Sequence, residues 1–447
     1  MRYSVPILVA VLLAAGSGIV SFVAPAPNPE ASAPNVVVLL VDTLRPGYLD
    51  LYGYEHETAP FLSHLGKSSA VFDRALATSS WTAPATASVF TSLYPYQHGV
   101  VQGFYAHRDA MFSEERRGIP RIPLNAIADE LTTLPELFKA AGYETFGVAA
   151  NRNIDKELGF AQGFDQFYEK NDVSGDVIYR KLREWRRDIA DARPYFLYIH
   201  LMDPHYPYEE ISPHFERYRG WTQDDEKARY LSEIRSTDRW IERIYKMLRF
   251  DKNTLLVLVT DHGEEFGDHG STQHGPFLYE ELQRALLMVH GPGLGVASKR
   301  LATNVSQVDV LPTLAEFISA PAPMQMQGLS LWPLMRGEQT GEEDRWAART
   351  LMAHRIISAP PYYENWAAVQ GPWKYIEHYG RAAELFDHRS DPAEQQDVAA
   401  EHADVTQRLA AVVEAARGAP RNFTGDQVQV PINKELEEEL KALGYVN

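Results

Sequence analysis

The chain has 447 residues, 60 acidic against 43 basic, for a formal net charge of -17; it has no Lys/Arg-rich stripe, which argues against nucleic-acid binding. Hydrophobic residues make up 45% and charged residues 23%. That balance excludes wholesale disorder and suits one large α/β core with a smaller subdomain appended. There is no cysteine, so disulfides, thiolate metal sites and cysteine nucleophiles are excluded together.

In chain order, Arg2 precedes an apolar stretch from Pro6 to Ala24. Residues 1–24 therefore read as a secretory signal or an uncleaved membrane anchor, since about 20 apolar residues can span a bilayer. The expectation is an exported protein: periplasmic, secreted or anchored. A Pro/Ala linker, 25–34, leads to the apolar run Asn35–Val41, which ends on Asp42. A second such run, Thr254–Thr260, ends on Asp261-His262-Gly263. Runs of this length that are rich in Val and Leu and do not alternate predict strands buried on both faces of a parallel sheet. Ligands of open α/β sheets bind beyond the carboxyl ends of such strands. Two strands far apart in sequence would then deliver Asp42, Asp261 and His262 to one rim, as a metal site.

Between these runs, helices are expected over Leu134–Ala141 and Ser232–Arg249, and strands over Tyr143–Ala149, Pro194–Leu201 and Ala285–His290. The Gly/Glu-rich stretch Arg336–Asp344 marks a boundary, giving a catalytic domain over 35–345 and a C-terminal subdomain over 346–447. In the latter, Trp373–Glu377 and Glu384–Asp387 read as short strands, followed by a helix over Ala400–Arg417 and an amphipathic tail, Lys434–Leu443.

The segment Ser80–Tyr94 is informative in another way. Thr82 stands where a loop enters a helix, with Pro84 in the first turn, a favoured place for proline. A hydroxyl there faces the positive end of the helix dipole and free backbone N–H groups, where a phosphate or sulfate is held. The plain alternative is that Thr82 is an N-cap; Thr-x-Pro recurs at Thr58-Ala-Pro60, so the tripeptide alone does not decide.

The order of motifs does. The strand ending on Asp42, then Thr82-x-Pro84 with Thr91-Ser-Leu-Tyr94-Pro95 and His98-Gly99, then Pro204-His205, then Asp261-His262-Gly263-Glu264, resembles the sulfatase family of the alkaline phosphatase superfamily. Asp238, Asp309-Val-Leu-Pro-Thr313, Trp373-Lys374-Tyr375 and Leu443-Gly-Tyr445 extend the likeness over nearly the whole chain after residue 34. The resemblance implies an alkaline-phosphatase-like α/β/α sandwich: a large, mostly parallel central sheet and a smaller C-terminal α+β subdomain.

The departures from the family pattern are as useful as the matches. Sulfatases carry Cys or Ser, modified to formylglycine, at the position aligned with Thr82, and Arg four residues later, where Thr86 stands. Their sulfate-binding Lys and His align with Ala150 and Arg152. Threonine is no formylglycine precursor, so no formylglycine is expected. What remains resembles threonine-nucleophile relatives such as phosphodiesterases and phosphoethanolamine or phosphoglycerol transferases. By that resemblance Asp42, Thr82, Asp261 and His262 hold one divalent metal (Zn, Mn or Ca), and Thr82 is the nucleophile. His205 and His274 are catalytic and contact the substrate, and Asn151 and Arg152 bind it. His269 competes with His274 for its place; Asp203, Arg45, His98 and Lys374 read as supports. The expected activity is hydrolysis of phosphate mono- or diesters, or phosphonate esters, in a small-molecule or envelope-derived substrate. The alternatives are a sulfatase, a transferase to an acceptor hydroxyl, and an inactive binding module.

Overall fold

Every side chain of Asn35–Val41, Tyr195–Leu201 and Thr254–Thr260 is buried, as unalternating apolar strands require. In the computed structural model the described residues are 33–103, 121–337, 343–357, 363–419 and 424–432, with 434 and 438. The targeting segment 1–24, nearly all of the linker and most of the tail Lys434–Leu443 lie outside them.

The strands, in chain order, are β1 (Asn35–Val41), β2 (Ala70–Leu76), β3 (Arg121–Asn125), β4 (Glu144–Ala149), β5 (Gln166–Glu169), β6 (Tyr195–Leu201), β7 (Thr254–Thr260) and β8 (Glu265–Phe266). They continue with β9 (Thr272–Gln273), β10 (Arg284–His290), β11 (Lys299–Ser306), β12 (Thr350–Ile357), β13 (Tyr363–Gln370), β14 (Trp373–Glu377), β15 (Glu384–Asp387) and β16 (Gln427–Pro431). Eight form the main sheet, in the order β11-β2-β10-β7-β1-β6-β4-β5. All pairings are parallel except those of β10, which runs against both β2 and β7. The expected mostly parallel sheet is thus present, with one reversed strand inside it.

Alternate residues of β1 enter two separate cores. Val36, Val38 and Leu40 pack with the helices Thr82–Thr91, Leu134–Ala140 and Val310–Phe317. Val37, Leu39 and Val41 pack with Pro60–Gly66, Gly175–Glu184 and Asp225–Leu248. Helices on both faces make the α/β/α sandwich. None of the described helices is long and apolar enough to cross a membrane.

Two helices differ from their expected spans by more than one residue. The helix expected from Ser232 begins at Asp225, because Asp224 caps it by accepting from the N–H of Glu226 and of Lys227, and acidic residues fill its first turn, a favourable charge at that end. The C-terminal helix runs Ala403–Gly418. It packs on an antiparallel sheet, β12-β13-β14-β15, which forms the C-terminal subdomain. Strands β14 and β15 match their expected spans. Residues of β12 reach the main domain directly: the His354 N–H donates to Thr78 O at 2.9 Å, in the loop that leads to Thr82.

The helix Thr82–Thr91 is buried along its whole length, so its start is held by polar contacts from within. The Val100 N–H donates to His98 Nδ1 at 3.0 Å, which leaves Nε2–H to donate to Pro84 O at 3.2 Å, with Ser88 Oγ also 3.2 Å away. Burial lowers the His98 pKa to about 3. Between that value and its ordinary 6.5 the unfolded chain binds the extra proton, so stability falls as pH falls. This residue alone removes on the order of 1 kcal/mol per pH unit across that window. His98→Gln, which cannot ionise there, is expected to flatten the acid limb of denaturant midpoint against pH; identical acid limbs for both proteins would contradict this role.

Candidate active site

Val41 pairs with Thr260 across β1 and β7, and with Leu201 across β1 and β6. The next residue on each of the first two strands is an aspartate. Asp42 and Asp261 therefore leave adjacent strand ends side by side, and His262 follows. One ligand atom from each of the three lies within 4.8 Å of the others, and all three residues are fully buried. The strand ends thus bring Asp42, Asp261 and His262 together at one rim.

Each member has one atom engaged and another left over. Asp261 Oδ1 accepts the N–H of Thr43 at 3.0 Å and of His262 at 2.8 Å, while Oδ2 has no hydrogen-bond partner. His262 Nδ1 donates to Gly263 O at 2.9 Å, and Nε2 has none. Asp42 Oδ2 accepts from Asn151 Nδ2 at 2.7 Å and from Thr82 Oγ1 at 3.4 Å, while Oδ1 has none. These two carboxylate oxygens and the imidazole nitrogen are buried without hydrogen bonds and face one another, His262 Nε2 lying 3.4 Å from Asp261 Oδ2 and 3.8 Å from Asp42 Oδ1; left so, they would be costly. They fit a divalent cation, for which neutral imidazole and carboxylate are the ordinary donors. Gln307 fixes the rim from below, donating to Thr260 O at 2.7 Å and Asp261 O at 2.6 Å.

The electrostatics carry the same imprint. Burial would raise Asp42, but the imidazoles of His200, His205 and His262 around it outweigh that and hold the carboxyl well below the usual range. Burial and then the charge of Asp42 push Asp261 well above it. Burial and the neighbouring His274 lower His262 to about 3, so its imidazole is neutral, the form that ligates metal.

Thr82 is the first residue of its helix, and Trp81 holds the capping position, so the plain N-cap reading does not apply. Two catalytic candidates from the sequence join the cluster. The His274 ring lies 4.7 Å from that of His262 and 4.9 Å from that of His205, centroid to centroid. His274 Nδ1 contacts Glu264 Oε1 at 3.1 Å; burial pulls its pKa down, but the charge and hydrogen bond of Glu264 raise it overall. His205 is lowered, chiefly by burial; it donates through Nδ1 to Tyr206 O and has no partner at Nε2. Asn151 Nδ2 lies 3.5 Å from Thr82 Oγ1. Arg152 follows it beyond the carboxyl end of β4, partly buried.

His269 does not compete with His274. It stacks on Tyr279, with centroids 3.8 Å apart, and contacts Glu281 and Glu394 O. Asp203 supports its loop by accepting the Gly175 N–H, and Arg45 grips Asp268 through two 2.8 Å bonds. Two residues escaped the sequence reading. His200 sits under Asp42, and Arg355 on β12 places its guanidinium 4.9 Å from the Trp81 ring centroid. No motif marks either one; only the strand register and the small sheet bring them in.

Residues 34–319 match the Sulfatase family model, and residues 267–418 match the model described as N-sulphoglucosamine sulphohydrolase, C-terminal. The chain belongs to the sulfatase family, whose members bind a divalent metal, and it is a hydrolase of that family. A Delta 4,5-hexuronate-2-O-sulfatase of Bacteroides thetaiotaomicron is 21% identical over 82% of this chain and 84% of its own length. A choline-sulfatase of Rhizobium meliloti is 25% identical over 82% of each. In structure, the phosphonate monoester hydrolase of Agrobacterium radiobacter superposes with a TM-score of 0.69 at 18% identity, over 86% of this chain and 95% of that one. A 2-O GAG sulfatase gives 0.69 at 17% identity, over 88% and 95%. These structural likenesses establish the α/β fold.

Gly263 gives a direct check on the rim. A Cβ there would lie 1.9 Å from Glu281 O, while the Gly263 N–H donates to Leu282 O at 2.8 Å. Gly263→Ala must therefore displace the Asp261-His262 turn, with an expected loss of about 2–4 kcal/mol and a drop in bound metal, read by thermal melting and elemental analysis. An alanine variant with wild-type melting and metal content would show that the turn is not constrained as described.

Proposed function

We propose that this sulfatase-family hydrolase acts through a covalent intermediate on Thr82, and that it favours phosphate mono- or diesters or phosphonate esters over sulfate esters. The observation that carries the reading is the placement of an unmodifiable hydroxyl, Thr82 Oγ1, 3.4 Å from Asp42 Oδ2 at the head of a buried helix. Asp42, Thr82, Asp261 and His262 would hold one divalent ion, and two carboxylates, a hydroxyl and an imidazole suit Zn²⁺, Mn²⁺ or Ca²⁺. When bound, the ion supplies Lewis acidity that makes a weak nucleophile competent and neutralises charge on the transferring group.

The chain's own residues supply the rest. Asp42 Oδ2 is a carboxylate within reach of the Thr82 proton. The first-turn N–H groups of the helix lack intrahelical acceptors and point at developing negative charge. Asn151, beside Thr82 Oγ1, orients the substrate together with Arg152. His274, braced by Glu264, donates to an oxygen of the bound group. His205, with Nδ1–H committed to Tyr206 O, offers Nε2 to take a proton from the incoming water, or from an acceptor hydroxyl if the enzyme is a transferase.

Three features support phospho over sulfo substrates. Threonine cannot become formylglycine, so release by hemiacetal collapse is closed to it, and a sulfated threonine would need direct attack by water. The positions aligned with the family's sulfate-binding Arg, Lys and His hold Thr86, Ala150 and Arg152. A phosphonate monoester hydrolase also stands among the structural neighbours. The second reading is a sulfatase working with an unmodified threonine, favoured by the number of sulfatases among the relatives. The apolar segment Pro6–Ala24 supports export and an envelope-derived or small-molecule ester as substrate.

Side-by-side kinetics on nitrophenyl phosphate, bis-nitrophenyl phosphate, nitrophenyl phenylphosphonate and nitrophenyl sulfate decide between the readings. We expect a phospho or phosphonate ester to have the highest kcat/KM, and Thr82→Ala to abolish its turnover at a stability cost of about 1 kcal/mol or less. A highest kcat/KM on the sulfate ester rules out the phospho preference, and a near-wild-type Thr82→Ala rules out the nucleophile.

A further inference from the structure

The face of β6 turned toward the helix Thr82–Thr91 begins apolar, with Phe196, and then changes character. Tyr198 and His200 are both fully buried, and neither the Tyr198 hydroxyl nor either ring nitrogen of His200 has a hydrogen-bond partner. A strand interior normally avoids such groups, because a buried polar atom left unmade is costlier than an apolar replacement of the same shape. His200 Nε2 stands 3.4 Å from Asp42 Oδ2, with the side chains of both residues wholly inaccessible. The parallel register sets this contact: Leu40 on β1 pairs with His200 on β6, so the imidazole lies one step below the strand end from which Asp42 emerges.

We propose that His200 is a positioning residue for the metal centre: it holds Oδ2 of Asp42 from beneath, so that Oδ1 is left to face the ion. The inference rests on the metal-site part of the reading above and is independent of the choice between phosphate and sulfate. His200 lies outside the compact donor set of Asp42, Asp261 and His262, so its contribution passes through the carboxylate. The geometry around Asp42 is lopsided in the way this role needs. Asn151, Thr82 and His200 all approach Oδ2, whereas Oδ1 has no hydrogen-bond partner and has the candidate ligand His262 nearby, its Nε2 3.8 Å away. Asp261 shows the same division, achieved there by two backbone N–H groups on Oδ1. For Asp42, whose following N–H, that of Thr43, is spent on Asp261 Oδ1, side chains do the work. Partners of this kind, behind a metal-ligating carboxylate or imidazole, change metal affinity by about 10–100-fold when removed.

A merely structural histidine and a positioning one predict opposite signatures. His200→Phe keeps the ring shape and removes both nitrogens. If His200 only fills space, metal affinity is untouched. If it positions Asp42, the variant's metal-free form melts at or above the wild-type temperature, since an unpaired buried polar group has gone, while its affinity for the ion falls. The test is calorimetric titration of chelator-stripped full-length protein with Mn²⁺, Zn²⁺ and Ca²⁺ in turn, with melting curves of the metal-free forms. We expect the His200→Phe Kd to rise about tenfold or more, and His200→Gln, which restores an N–H donor, to recover part of the loss. Unchanged affinity in His200→Phe overturns the proposal. So does a variant in which affinity and metal-free stability fall together and His200→Gln recovers neither. Wild-type protein that binds none of the three ions overturns the metal-site reading and this inference with it, whereas failure of the phospho preference alone leaves the result standing.

Discussion

Two carboxylates are forced together in the interior of this protein, and much of the site's architecture follows from their repulsion. Because Val41 and Thr260 are paired neighbours, the aspartates that follow them cannot separate without unzipping the centre of the sheet. Both are fully buried, and like charges at such range in a poorly screened interior oppose each other strongly. The neutral imidazole of His262 relieves nothing by itself. A divalent cation does, and the atoms left without hydrogen bonds on all three residues are the ones such an ion would use. The cost of gathering them lies in the fold, which spreads it over two extensive apolar cores.

The same constraint organises the second layer of contacts. Backbone N–H groups take one oxygen of Asp261, the Gly263 carbonyl takes Nδ1 of His262, and side chains take one oxygen of Asp42. Each of these groups is thereby oriented as a metal ligand would need to be, the kind of preorganisation that metal sites depend on. Gly263 is irreplaceable for a related reason: its backbone passes so close to Glu281 O that any side chain collides. Thr82 enters from another direction, on a helix whose burial on every side fixes its first turn relative to the rim. The C-terminal sheet closes the arrangement through His354 and the guanidinium of Arg355 over Trp81.

Much of this could be read from the chain. The strands Asn35–Val41 and Thr254–Thr260 were legible to the residue, because an unalternating run of Val and Leu ending on Asp has few other interpretations. The rim of Asp42, Asp261 and His262 followed from strand direction alone. Other features depended on tertiary context. The reversed strand β10 has the composition of its parallel neighbours, and nothing in Arg284–His290 records its direction. The start of the helix at Asp225 was hidden in an acidic stretch that resembles a loop until Asp224 is seen to cap it. His200 was invisible for a deeper reason: a histidine within a buried strand has many bland explanations, and only the pairing of Leu40 with His200 shows what lies above it. His269 stood as a rival to His274 in the same loop; its stacking on Tyr279 sets it apart from the cluster that His274 joins.

The covalent mechanism stands or falls on whether a group is transferred to Thr82. The most direct measurement is peptide mass mapping of protein quenched during turnover of nitrophenyl phenylphosphonate, a substrate whose transferred group has a mass unlike phosphate or sulfate. The account predicts a phenylphosphonyl group on the peptide containing Thr82, on the threonine itself, and its absence from Thr82→Ala treated in the same way. A quenched enzyme that is turning over yet carries no adduct at Thr82, or carries it on another residue, would contradict the covalent mechanism proposed for this site.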